Sequence, residues 1–265
     1  MDVAGKTVWI TGASSGIGAA LATACARAGA KLVLSGRRAD ALAEVAGRCQ
    51  AQTLVLPFET TDLDALPGIV AQAETWSGGI DILVNNAGAS SQVRNIRWIG
   101  DQDWNDTIEV NLNAVYVLVQ AVLPAMLEAG GGTIVTVSSL AAVRPGLLGG
   151  APYGAAKAAV QNLMKFLYAT FRNDGIRVTT ILPGEVNTPI MDTRVRPPSS
   201  DERAAMVDPD DVARAILLCC SLPARATIEE LVISPSHARD QGPDTEISRW
   251  MGAPADFLKN MNQAS

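Results

Sequence analysis

Short apolar, β-branched runs alternate with segments of helical periodicity along nearly the whole chain. TVWI (7–10), KLVL (31–34), TLVLPF (53–58), DILVNN (81–86), TIVTVS (133–138), RVTTIL (177–182) and ELVIS (230–234) read as strands. Most are near-continuous apolar runs, the pattern of strands covered on both faces. Between the first two, Ile17, Leu21, Ala24, Cys25 and Ala28 share one helical face, with Gly29 as the stop. Leu42, Val45, Ala46 and Cys49 repeat at i, i+3, i+4 and i+7. Asp208-Pro209-Asp210-Asp211 reads as a helix start, with an N-cap, a proline at N1 and acids against the dipole; Val212, Ala215, Ile216 and Cys219 form its apolar face. Strand–helix alternation on this scale predicts an α/β fold: a parallel sheet, helices on both faces and right-handed crossovers.

The 265 residues suit one large α/β domain or two small ones. With no internal repeat and no linker, the expectation is a single domain over 1–265. Only 187–207 breaks the rhythm. It lacks periodicity, carries Pro197-Pro198-Ser199-Ser200, and reads as a substrate lid. The segment 239–265 is a C-terminal extension whose Trp250, Met251, Phe257 and Leu258 are too apolar for a free tail, so packing on the body or on a subunit is expected. A net charge of −6 disfavours nucleic acid and anionic membrane surfaces as partners. No apolar stretch reads as approaching the ~20 residues of a membrane span. The N-terminus runs into a strand without signal-peptide regions, and the expected location is cytoplasmic and reducing. Cys25, Cys49, Cys219 and Cys220 show no metal-ligand spacing, so no metal is expected.

The stretch TGASSGIGAA (11–20) supports two chemistries. GASSG fits the G-x-S-x-G turn of a serine hydrolase, with Ser14 as nucleophile and the lone histidine, His237, downstream. The same residues fit a glycine-rich turn that brings a dinucleotide's pyrophosphate to a helix N-terminus. Topology chooses the second. Only about one strand precedes Gly12, which leaves no earlier loop to supply an oxyanion donor, and His237 falls in a loop after the last strand. In the cofactor reading, Gly12, Gly16 and Gly18 turn the chain, admit the pyrophosphate and let the helix pack on the sheet.

The spacing TGxxxGxG at 11–18 resembles the short-chain dehydrogenase/reductase family, of the NADP-preferring type. In the same order follow NNAG (85–88), Asn111 in EVNLNAV, TIVTVSS ending at Ser139, Tyr153 and Lys157 as Y-x-x-x-K, and PGEVNT (183–188). The match runs over about residues 5–235, and an ordered set of this kind is specific. It implies a doubly wound Rossmann fold with a seven-stranded parallel sheet in the order 3-2-1-4-5-6-7. It also implies a homotetramer, with a dimer as the alternative, built on the long helices that hold Asn111 and Tyr153.

Tyr153 and Lys157 are one helical turn apart and face the same way. An unperturbed phenol has a pKa of about 10, and a neighbouring ammonium, helped by a nicotinamide cation when present, favours the phenolate and brings it towards the working range. The resemblance implies that Ser139 hydrogen-bonds the substrate oxygen, with Ser138 as its rival. It gives Asn111 a water that links the Lys157 ammonium to solvent. A dinucleotide enzyme specific for the 2′-hydroxyl wants a carboxylate at the end of the second strand; this chain has Gly36, then Arg37 and Arg38. Arg37 is a fork suited to a 2′-phosphate and Arg38 can stack on adenine, so the cofactor is expected to be NADP(H). Contacts are expected from Ser14, Ser15 and Ile17, and from Glu59 near the adenine. Asn86, Ala87 and Gly88 follow at the ribose, with Pro183, Gly184, Val186 and Thr188 at the carboxamide end.

The resulting expectation is an oxidoreductase that interconverts a carbonyl and an alcohol, acting on a small or medium ketone, hydroxy acid or secondary alcohol. LPARATIEELVISP (222–235) is similar to a subgroup of NADP enzymes acting on 3-hydroxy acids and related small alcohols, and it also resembles secondary-metabolism reductases. A 3-oxoacyl-carrier-protein reductase shares the framework, although an acidic carrier favours a basic rim. A second class is an NADP-binding regulatory protein without chemistry. The lid is apolar at Ile190, Met191 and Val195 and basic at Arg194, Arg196 and Arg203, which suits either a hydrophobic ketone or a small acid.

Overall fold

The computed structural model describes residues 3–263, so the outermost two residues at each end of the expected domain lie outside it. The chain runs β1 (Thr7–Thr11), α1 (Gly16–Arg27), β2 (Lys31–Gly36), α2 (Ala39–Arg48), β3 (Thr53–Pro57), α3 (Leu66–Ser77) and β4 (Ile82–Asn85). It continues through α4 (Asp101–Ile108), α5 (Ala114–Glu128), β5 (Gly132–Val137), α6 (Ala151–Phe171), β6 (Ile176–Pro183) and α7 (Ser200–Ala204). The last elements are α8 (Pro209–Ser221), β7 (Glu230–Ile233), α9 (Gly242–Trp250) and α10 (Ala255–Gln263).

All seven strands pair in parallel in the order β3-β2-β1-β4-β5-β6-β7, a Rossmann-like sheet. The near-continuous apolar runs are explained by the two covers. Successive side chains point to opposite faces, so Val8 and Ile10 of β1 join one core with Leu21, Cys25, Leu34 and Ile216. Trp9 joins the other with Leu83, Val119, Ile134 and Met164. The buried Trp9 indole N–H is satisfied by Ser35 Oγ at 2.9 Å. β7 departs from the expected pattern: it is an edge strand with Val232 54% exposed, because only one neighbour and one cover reach it.

Local signals act as expected at α8, where the Asp208 side chain accepts from Asp210 N at 2.8 Å and Pro209 opens the first turn. A correction concerns length. Asp101–Glu128 forms one helical run because a π-helical turn, Glu109–Asn113, joins α4 to α5, and by length and composition that run is apolar enough to cross a membrane. Here its Val115, Leu118, Val119 and Val122 pack into the core behind the sheet. The segment 187–207 is more ordered than its composition suggests. It holds a 3-10 turn (Pro189–Thr193) and α7, which starts with a Ser199–Glu202 capping box. A bridge between Val186 and Val207 closes its two ends.

Candidate active site

Two cavities open at the carboxyl edge of the sheet, where parallel strands end and helices begin. The glycine turn floors the first. Gly12 (φ +66°) and Gly16 (φ +54°) adopt a left-handed conformation that side chains disfavour. A Cβ at Gly12 would lie 2.9 Å from Ala87 Cα, and one at Gly18 would lie 2.7 Å from Asn86 Nδ2. The turn is tied to the end of β4: Asn86 Nδ2 donates to Thr11 O at 3.0 Å and to Gly12 O at 3.2 Å, and Thr11 Oγ1 accepts from Asn86 N and Ala87 N. Ser15 precedes α1 without capping it, and the first turn holds no acid. The helix N-terminus therefore keeps free N–H groups for an anion.

This cavity has a volume of about 490 Å³. Every residue expected at the cofactor lines it except Gly18, which is buried beneath the turn and serves packing instead. Gly36 has no neighbour closer than 3.8 Å to a built Cβ, so crowding does not bar a side chain there. Arg38 donates to Ser14 Oγ at 3.1 Å, and exposed Arg37 lies 3.9 Å from Glu59. Thr60 and Val110 line the same space without having been singled out in the sequence. Ser14 and His237 line different cavities, so the two do not pair as nucleophile and base. His237 is exposed and interacts with Ser236 Oγ at 3.2 Å.

The end of β5 separates the two serines. Ser138 Oγ is buried and donates to Lys157 O at 2.9 Å. Ser139 Oγ accepts from Ala141 N at 3.1 Å and lines the cavities. On α6, Lys157 Nζ is buried, donates to Val137 O at 2.9 Å and stands 5.5 Å from the Tyr153 ring centroid. Burial pushes its pKa down to about 8. Burial also pushes the Tyr153 phenol up, opposed by the Ser139 hydrogen bond and the Arg194 charge. In the protein alone desolvation dominates, which favours the protonated phenol. Asn111 sits in the π-helical turn, which aims its amide Nδ2 at Thr107 O (2.7 Å) and Ala89 O (2.8 Å). Its buried Oδ1 is left without a partner. A Cβ built on Gly88 would lie 3.1 Å from that Oδ1 and 3.5 Å from Lys157 Nζ, so both groups border the same spot.

The second cavity, about 620 Å³, meets the first at Ser139, Tyr153, Pro183 and Met191. Its walls come from the loop 140–149, the 187–207 segment and the chain after β7. The basic residues of that segment are committed internally: Arg194 pairs with Glu185 (2.6 Å), Arg196 with Glu202 and Asp244, and Arg203 with Asp192. Arg239 joins Glu185, Glu202 and Asp244 at 2.7, 3.3 and 2.6 Å. The C-terminal extension packs on the body as well, with Trp98 and Phe257 centroids 5.0 Å apart and Trp98 Nε1 donating to Arg249 O. Sequence reading missed Glu185, Arg239 and Asp244, because ion pairs spanning 54 residues leave no local pattern.

Residues 6–198 match the short chain dehydrogenase family model. An uncharacterized oxidoreductase of Staphylococcus aureus is 33% identical over 233 residues, covering 87% of this chain and 97% of the relative. Gluconate 5-dehydrogenase of Gluconobacter oxydans is 38% identical over 188 residues, covering 69% of this chain and 72% of that enzyme. Among solved structures, a 3-ketoacyl-(acyl-carrier-protein) reductase from Brucella melitensis complexed with NADH superposes with a TM-score of 0.81 at 29% identity, covering 88% and 98% of the two chains. A serine dehydrogenase complexed with NADP+ also gives 0.81, at 28% identity and 89% and 97% coverage.

Proposed function

The chain belongs to the short-chain dehydrogenase family, and on that footing we propose that it is an NADP(H)-dependent oxidoreductase interconverting a carbonyl and an alcohol where its two cavities meet. The observation that carries this reading is that Ser139 and Tyr153 line both cavities, while Lys157 lines only the glycine-floored one. When bound, NADP(H) supplies or accepts the hydride and, oxidised, brings a positive charge. The residues fit such a group: two glycines with positive φ, an uncapped helix start and a cleft a Cβ would obstruct. The choice of the phosphorylated cofactor rests on Gly36, Arg37 and Arg38, and the NADP+ complex of the serine dehydrogenase neighbour supports it.

The reductive direction follows from the chain's own groups. Ser139 donates a hydrogen bond to the carbonyl oxygen and stabilises the developing alkoxide. Tyr153, held as a phenol, gives that oxygen its proton. Lys157 uses one N–H on Val137 O and keeps two for the ribose and the proton path. The orphaned Asn111 Oδ1 is an acceptor for the water that resupplies Tyr153 through Lys157. Exposed Tyr116 and Phe166, on α5 and α6, support the homotetramer as part of the same reading.

The test is a screen of ketones, oxo acids and secondary alcohols, followed by the absorbance of the reduced cofactor. Turnover with NADPH or NADP+, and much less with the non-phosphorylated pair, is expected. Tight cofactor binding without turnover of any substrate would replace this reading with the non-catalytic one.

A further inference from the structure

We propose that the larger cavity takes a substrate bearing a carboxylate, anchored by Arg94; the proposal rests on the oxidoreductase reading and names its substrate class. The chain as a whole is acidic, at −6, yet this cavity is lined by Arg94, Arg144, Arg194 and Arg239 against a single carboxylate, Glu185. Glu185 is already shared by Arg194 and Arg239, both at 2.6–2.7 Å. Asp244 lies behind the wall and is occupied by Arg196 and Arg239. Among the described residues, no carboxylate lies within ion-pair distance of Arg94 or Arg144. The excess of positive charge in this lining favours an anion in the cleft.

Arg94 is the informative member because it is only 7% exposed. A buried guanidinium is strongly disfavoured unless it is paired and hydrogen-bonded, and this one makes a single side-chain hydrogen bond, to Leu148 O. A guanidinium has five N–H donors in a planar fork matched to a carboxylate, so most of its donors remain for a ligand. Its backbone fixes its place. Arg94 O accepts from Ala151 N at 2.9 Å in the first turn of α6, the helix that presents Tyr153. Gly150, at φ +86°, lets that turn close on Arg94: a built Cβ would lie 3.0 Å from Arg94 Cβ. Arg144, exposed on the loop that walls the same cavity, adds charge near its mouth. The basic residues visible in the sequence of the 187–207 segment are neutralised; the available cation comes from the loop after β4.

The test uses the full chain with NADPH present and two isosteric probes, butyrate and butyramide, titrated by calorimetry. Butyrate is expected to bind at least roughly tenfold tighter than butyramide, as for a hydrogen-bonded ion contact. Arg94→Gln keeps an N–H for Leu148 O without the charge and is expected to bring the ratio to about one. Equal affinity of the two probes in the unaltered protein overturns the proposal, whatever the variant's folding; a ratio unchanged in a folded Arg94→Gln variant overturns the assignment to Arg94. The NADPH titration is read separately. Absence of cofactor binding would defeat the oxidoreductase reading, while the probe ratio, measured without NADPH, still decides the carboxylate site.

Discussion

The Lys157 ammonium stands 5.5 Å from the centre of the Tyr153 ring and spends its one protein hydrogen bond on Val137 O. A buried cation so thinly compensated is poor for stability, and the arrangement makes sense as preparation for a ligand. Replacing it with an isosteric apolar side chain, Lys157→Met, is expected to abolish turnover, weaken NADPH binding and leave the melting temperature unchanged or higher. The pH dependence carries the same sign. Below about pH 8 the folded and unfolded chains both hold the proton and the fold bears the whole penalty, on the order of 3 kcal/mol. Between about 8 and 10.5 the folded state releases its proton first, so this contribution to stability rises with pH. Urea denaturation across that window, for the parent chain and the variant, measures it.

The adjacent serines separate structure from chemistry. Ser139→Ala removes the group facing both cavities and is expected to lower kcat by roughly 10²–10³, the usual loss for an oxyanion donor. Ser138→Ala removes a buried hydrogen bond to Lys157 O and is expected to cost about 1 kcal/mol of stability, with most of kcat retained. Steady-state kinetics and thermal melts of the pair check the assignment.

In the proposed function Gly36 decides between the two cofactors. A Cβ there meets nothing closer than 3.8 Å, so Gly36→Asp is expected to fold. Its carboxylate would repel a 2′-phosphate and accept from a 2′-hydroxyl, shifting the preference from NADPH towards NADH by roughly tenfold or more. Competitive binding of the two cofactors to the variant is the measurement.

The ion-pair network holds the 187–207 segment to the chain after β7. Asp244, 4% exposed, bonds Arg196 and Arg239, and Asp244→Ala leaves two partly buried guanidiniums short of a partner. A loss of about 2–3 kcal/mol is expected, a fall of about 5–10 °C in Tm for a chain of this size. The KM for substrate should rise with it, because Arg239, Gln241 and Thr245 line the cavity. Differential scanning calorimetry and substrate saturation curves test both halves.

The fold was legible because its signals are local. The strand runs, the glycine stop of α1 and the Asp208-Pro209 start of α8 are each contained within a few residues, and all appear within a residue or two of where the pattern puts them. The candidate site was legible for a different reason: the glycine turn, Asn111, Ser139, Tyr153 and Lys157 each mark the end of a strand or the face of a helix, and a parallel sheet gathers those positions at one edge. What escaped was long-range. The Glu185–Arg239–Asp244 network and Arg94, which makes no ion pair among the described residues, depend on which side chains meet across loops, and the sequence shows only that arginines are present. Spacing likewise reveals a lysine one turn from Tyr153 but not the burial that raises the phenol in the protein alone.

The central claim is that Tyr153 supplies the proton for carbonyl reduction. Its most direct test is Tyr153→Phe, with NADPH binding and NADPH oxidation measured on the same preparation. Loss of at least roughly 10³-fold in turnover with near-normal NADPH affinity is the predicted result. Turnover surviving in the phenylalanine variant would contradict the account.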